Sequence, residues 1–273
     1  MYDLSFSETI PVPAMKNKLK EKLLSGSKTL GTFLEMGGAS TVECLARGGF
    51  DYLIIDTEHG PFSVETAADY IRVAEYGGIT PLVRICEITR SSVLRMLDIG
   101  AKGLIVPNIH TAHQVEELVR LAKFAPLGQR GFCPTRVSCW GADAWAADAN
   151  SYVKRCNDET LILPQCETAQ AYENIDEILA VEGVDGIFVG PCDLSIALGV
   201  PFEFDSPKLK NAILHILDAC KRANKQAFIF AGNPEAAREW FAAGFDSVTY
   251  SLDASIFVKA CREAVSECKN LIK

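Results

Sequence analysis

The sequence lacks the features a membrane-spanning or nucleic-acid-binding protein needs. No run approaches the roughly 20 consecutive apolar residues of a membrane span, and the opening stretch MYDLSFSETIPVPAMKNKLKEKLL has no apolar segment of signal-sequence length. Positive charge is in the minority, with 27 Lys and Arg against 35 Asp and Glu and a formal net charge of −8. The basic residues are scattered, so no surface is expected to track a phosphate backbone. The ten cysteines include no CxxC pair, and Cys86 and Cys166 fall in apolar, strand-like phrases. They read as reduced thiols and not as a disulfide framework or a zinc site. A cytoplasmic protein without membrane or nucleic-acid partners is expected.

What is present is a large apolar fraction, 48% of 273 residues, enough for one domain spanning residues 1–273. Short β-rich runs recur at 30–35, 52–56, 81–85, 103–108, 160–166, 186–190, 226–230 and 247–252, each followed by a stretch with helical spacing. Leu53-Ile54-Ile55 and Leu161-Ile162-Leu163 are apolar on successive residues, so both faces of those strands must be covered, as in a parallel sheet under helices. Glycine phrases close several helices, as in Gly49-Phe50-Asp51 and Gly244-Phe245-Asp246, and form a weak internal repeat. Eight βα units predict a (β/α)8 barrel of the TIM type. Two additions are expected: an N-terminal helix around Met15–Leu24 that caps the bottom, and a long connection, 128–158, between strands four and five. That connection carries Trp140 and Trp145 and reads as a lid, a subunit contact or plain surface elaboration.

Chemistry in such a barrel happens at the C-terminal strand ends, and polar residues collect there: Asp56-Thr57-Glu58-His59, Arg84, Asn108 and His110, Gln165 and Glu167, Cys192 and Asp193. The charges at the opposite ends, Asp51, Lys102, Asp185, Lys225 and Asp246, read as solvated. Glu167 and Asp193 leave adjacent strands and suit Mg²⁺ or Mn²⁺, with Co²⁺ as a further candidate; the competing reading is a pair of solvated acids, with Asp193 capping a helix. His59 is a candidate acid/base, with His110 the alternative by position. Arg84 lies inside an apolar phrase and needs an anionic partner, either a fixed one, Glu87 or Asp56, or a substrate carboxylate or enolate. Asp98 reads as an acid on a helix face. No lysine falls where it would project into the barrel, which disfavours Schiff-base chemistry, and no glycine-rich phosphate cradle follows strands seven and eight.

Taken in order, Asp56-x-Glu58-His59-Gly60-Pro61, Leu97-Asp98-Ile99-Gly100-Ala101, Val106-Pro107, Arg130-Gly131, Gln165-x-Glu167-Thr168 and Gly190-Pro191-Cys192-Asp193-Leu194-Ser195 resemble the 2,4-dihydroxyhept-2-ene-dioate aldolase and 2-dehydro-3-deoxyglucarate aldolase family, over roughly residues 30–252. The resemblance implies a metal-dependent lyase that splits a 4-hydroxy-2-oxo acid into pyruvate and an aldehyde. It implies Glu167 and Asp193 as metal ligands with Gln165 beside them, and Arg84 on the enolate. It also implies a His59–Asp98 dyad, with the backbone at Cys192 and Asp193 receiving the substrate carboxylate. Family members are hexamers whose last helix packs on a neighbour, so a homo-oligomer is expected. Departures are Cys192 in place of a common alanine, Cys86-Glu87 after the arginine strand, and the segment from Cys133 to Trp145. Oxaloacetate decarboxylation, or a non-catalytic barrel that binds a carboxylate, are the rival readings.

Overall fold

The computed structural model describes residues 15–142, 144–146 and 148–272. After α1 (Lys18–Leu24), strands and helices alternate: β1 (Thr29–Leu34), α2 (Ala39–Gly48), β2 (Tyr52–Asp56), α3 (Val64–Gly77), β3 (Thr80–Arg84), α4 (Arg90–Asp98), β4 (Gly103–Val106) and α5 (Ala112–Ala122). Two short 3-10 turns and α6 (Ala149–Glu159) lead into β5 (Leu161–Cys166). Then come α7 (Ala169–Glu173), α8 (Ile175–Ala180), β6 (Gly186–Val189), α9 (Pro191–Ala197), α10 (Pro207–Arg222), β7 (Gln226–Ala231), α11 (Pro234–Ala243), β8 (Ser247–Leu252) and α12 (Asp253–Asn270). The strands are all parallel and close in sequence order, β1 against β8, so the expected (β/α)8 barrel is the fold.

Because every strand is covered on both sides, it contributes alternately to two cores. Phe33, Tyr52, Ile54, Leu82, Leu163, Phe188 and Phe228 fill the barrel interior, while Leu53, Ile55, Val83, Leu104 and Ile229 pack outward under the helices. Leu19 and Leu23 of α1 belong to the interior cluster, so the N-terminal helix plugs the foot of the barrel, as expected. It begins at Lys18, capped by Asn17, and Met15 turns away to pack with Phe124, Val137 and Tyr152.

The charges at the barrel foot are buried or half-buried and bonded within the protein, not simply solvated. Asp51, Asp185 and Asp246 each accept a hydrogen bond from a neighbouring strand's first amides, Leu30, Ile162 and Ala227, at 2.8, 2.8 and 2.9 Å. This is the physical content of the repeated glycine–Asp phrase: a carboxylate that caps the preceding strand in the ring. Lys102 is buried and pairs with Glu75 at 2.9 Å, and Glu75 also binds Arg136.

The long connection leaves α5 and enters β5 at the foot of the barrel, so its described residues form no lid over their own chain's mouth. An αβ connection begins where a helix has run back to the start of the sheet. Tyr152 anchors it, stacked on Trp145 at 5.5 Å and edge-on to Phe132 and Phe124, whereas Trp140 is 71% exposed.

Candidate active site

The register of β2 on β3 sets Asp56 directly beside Arg84, the last residues of both strands. Asp56 is fully buried and holds the guanidinium in a fork, Nε to Oδ1 at 2.9 Å and Nη2 to Oδ2 at 2.6 Å. Glu58 approaches the same Nε at 3.3 Å, and the guanidinium lies 4.7 Å above the Phe33 ring. Burial pushes the Asp56 carboxyl upward, but the bonds and charge of Arg84 outweigh it and hold the group below the ordinary aspartate value. Of the two fixed partners considered for Arg84, Asp56 is the one used; Glu87 is exposed.

On the other side of the ring, β5 and β6 pair so that Cys166 faces Val189, which brings Glu167 level with Gly190. Glu167 is 9% exposed; its Oε1 accepts the Asn108 amide at 2.7 Å and its Oε2 meets Gln165 Nε2. Gly190 makes room for this pair, because a Cβ there would lie 2.9 Å from Gln165 Nε2 and 3.0 Å from Glu167 Oε2. Burial, followed by the negative charges of Asp193 and Glu58, raises the Glu167 carboxyl to about 7. Asp193 lies in the first turn of α9, exposed, with no side-chain capping bond, so the capping reading does not hold for it. Cys192, partly buried, stands beside it.

Arg84, Gln165, Cys192 and Asp193 line one cavity of about 130 Å³ at the barrel mouth, walled by Phe33, Phe188, Phe230 and Leu252. One guanidinium serves a crowd of carboxylates there. Glu35, Asp56, Glu58 and Glu167 all interact with Arg84, Asp193 acts on Glu58 and Glu167, and Glu35 and Glu58 are both raised, chiefly by burial. Such an excess of negative charge calls for a cation. The donor set fits one with hard-oxygen preference: carboxylates, and a Gln165 Oε1 that is buried without a hydrogen-bond partner. Among the described residues no three His, Cys, Asp or Glu side chains gather into a closed metal cage.

His59 is at the mouth but stands clear of it, its side chain 71% exposed and Nε2 4.0 Å from Glu58 Oε2. His110 does not enter the cavity lining and instead meets Asn108 Oδ1 at 3.0 Å. Asp98 is the expected residue that one chain does not bring to the others. It ends α4 at the foot of the barrel and bonds Arg130 at 2.7 Å, with no ion pair to His59. Sequence reasoning passed over Glu35, although it follows the last residue of β1 and satisfies the same strand-end criterion as the others.

The profile of the HpcH/HpaI aldolase/citrate lyase family matches residues 29–260. The chain belongs to that family. It is 33% identical over 248 residues to the 2-keto-3-deoxy-L-rhamnonate aldolase of Klebsiella pneumoniae subsp. pneumoniae, covering 90% of this chain and 91% of the relative. A relative of the same name from Salmonella gallinarum is 31% identical over 94% of this chain and 95% of its own length. The solved HpcH/HpaI aldolase of Desulfitobacterium hafniense DCB-2 superposes with a TM-score of 0.85 at 34% identity, over 92% of this chain and 96% of that one. As an HpcH/HpaI aldolase the protein is a divalent-metal-dependent carbon–carbon lyase that cleaves hydroxylated 2-oxo acids to pyruvate and an aldehyde. None of the helices among the described residues is long and apolar enough to cross a membrane.

Proposed function

We propose that Glu167 and Asp193 hold the ion, that the ion is Mg²⁺ or Mn²⁺ with Co²⁺ as a substitute, and that Arg84, Gln165 and the Cys192–Asp193 backbone bind the pyruvyl half of the substrate. The observation that carries this reading is the convergence of Arg84, Gln165 and Asp193 on one small cavity with the buried Glu167 carboxylate touching Gln165. When bound, the cation polarises the 2-oxo group as a Lewis acid. Arg84, locked by Asp56, presents its remaining donors to the 2-oxo oxygen, where negative charge grows as the C3–C4 bond breaks. The first-turn amides of α9 at Cys192 and Asp193 receive the carboxylate. His59 takes the proton from the C4 hydroxyl, directly or through water, and the aldehyde departs.

A His59–Asp98 dyad requires Asp98 from a second copy, because one chain holds the two at opposite ends of the barrel wall. Assembly is supported by α12, an 18-residue helix in which only Asp253 is buried and which exposes Phe257, Val258 and Val265. A homo-oligomer, hexameric by resemblance, in the cytoplasm completes the reading. The sugar-acid substrate named for the relatives, 2-keto-3-deoxy-L-rhamnonate, is the first to assay.

Exchange of the pyruvate C3 protons in deuterated water, followed by NMR after chelation and after adding Mg²⁺, Mn²⁺ or Co²⁺, tests the proposal. Cation-dependent exchange that disappears in Glu167→Gln and Asp193→Asn is expected; exchange that persists in both variants sinks the ligand assignment.

A further inference from the structure

Arg130 ties the long connection to the end of α4. Its side chain is 1% exposed and donates from Nη2 to Asp98 Oδ1 at 2.7 Å, while the Asp98 side chain is 23% exposed. A partly exposed carboxylate is thus fastened to a guanidinium that lies beneath it. Burying that charge is costly, and the pair recovers little of the cost, because Arg130 Nε and Nη1 are also buried and meet no hydrogen-bond partner among the described residues. An arginine placed for stability alone gains most by forking both carboxylate oxygens, as Arg84 does with Asp56. Arg130 instead engages Oδ1 and leaves Oδ2 outside the bond.

The guanidinium is itself fixed from behind. The Arg130 amide donates to the Lys123 carbonyl at 2.9 Å, and the guanidinium lies 4.9 Å from the centre of the Phe124 ring. Phe124 is held in turn by Asn157 of α6, whose side chain accepts the Phe124 N–H at 2.7 Å and donates to its carbonyl at 2.9 Å. Phe124 and Asn157 are both buried. This series of buried contacts runs from α6 to a single oxygen of Asp98 and gives a helix-end acid a fixed direction.

We propose that Arg130 is a positioning residue for the lyase reaction: by holding Asp98 through Oδ1 it presents Oδ2 to His59 of a neighbouring copy. This role rests on the dyad between copies set out above, and Arg130 itself touches no substrate.

Kinetics of the full chain and of mixed oligomers test it. Arg130→Gln is expected to lower kcat about ten-fold, comparable to loss of a group that orients a working histidine, with KM unchanged. Arg130→Lys keeps the buried charge and is expected to recover part of the loss. In the Asp98→Asn background Arg130→Gln is expected to cost nothing further, since the group it orients is already disabled, whereas damage to the fold would add to the loss. Co-expression gives an independent readout. Arg130→Gln with His59→Ala is expected to restore about a quarter of the sites, because the two defects lie on opposite sides of a shared site; Arg130→Gln with Asp98→Asn is expected to restore none. Should Arg130→Gln not fold, Arg130→Lys takes its place in each comparison. Unchanged kcat, a further loss in the double variant, or recovery with Asp98→Asn overturns the proposal. If His59→Ala and Asp98→Asn themselves fail to complement, the dyad between copies falls and the role of Arg130 with it; if they do complement and any of those three results is found, the Arg130 assignment alone falls.

Discussion

Arg84 and Asp56 are register partners on adjacent parallel strands, joined by two hydrogen bonds of 2.9 and 2.6 Å, and the carboxylate is wholly buried. This pair converts a flexible side chain into a fixed donor at the cavity wall. Asp56→Asn replaces the charge-assisted fork with neutral acceptors at a wholly buried position, so urea denaturation is expected to report a loss of about 2 kcal/mol. Arg84→Lys keeps the charge but not the fork. Turnover is expected to fall at least about 100-fold, and unchanged kcat with unchanged KM would remove Arg84 from the site.

Glu167 carries a sign that can be checked. Its carboxyl is raised to about 7 in the folded protein, against an ordinary 4.5. Between those values the native state holds the proton that the unfolded chain has released, so this group removes stability from the metal-free protein as pH rises through that window. The pH–stability curve of Glu167→Gln is expected to lack that decline. Because only the carboxylate ligates, Mn²⁺ binding is expected to weaken by roughly ten-fold per unit as pH falls below about 7. Affinity that is flat from pH 8 to pH 6 would contradict the assignment.

Gly190→Ala tests the fit of the ligand pair without removing either carboxylate. The added methyl would press on the ends of the Gln165 and Glu167 side chains at 2.9 and 3.0 Å, which can move without disturbing the backbone. Metal affinity is expected to drop about ten-fold while the melting temperature changes little. A variant that binds Mn²⁺ as tightly as the parent would show that this pair tolerates displacement.

The separation of His59 from Asp98 predicts complementation between chains. His59→Ala and Asp98→Asn are each expected to be slow alone; the asparagine retains an oxygen for Arg130, which is otherwise buried with its Nε and Nη1 unpartnered. Co-expressed in equal amounts, the two chains are expected to restore about a quarter of the sites if each dyad spans two neighbouring copies. No recovery would rule out a dyad formed in trans.

Much of the fold was legible because its signals are local. Apolar runs on successive residues, Gly at helix ends and Asp at strand starts mark the eight units within a residue or two of the observed strands. The strand-end rule then placed Glu167, Asp193, Gln165 and Arg84 at one mouth without knowledge of any contact. Its omission of Glu35 came from application, since that residue also follows a strand.

What only the tertiary structure decided are relations that depend on closure and register. Sequence could not choose between Asp56 and Glu87 as the partner of Arg84; the β2–β3 register did. It could not tell that Asp51, Asp185 and Asp246 cap neighbouring strands, because each partner amide lies about 20 residues away in the chain. Nor could it show that the Trp140–Trp145 connection and Asp98 lie at the foot, far from His59, or that α10 and α11 part to leave a cavity behind the catalytic one. Residue type and spacing determine which elements form and which ends are polar. Which of those ends meet is set by how eight strands close on themselves, a constraint that no local stretch of sequence contains.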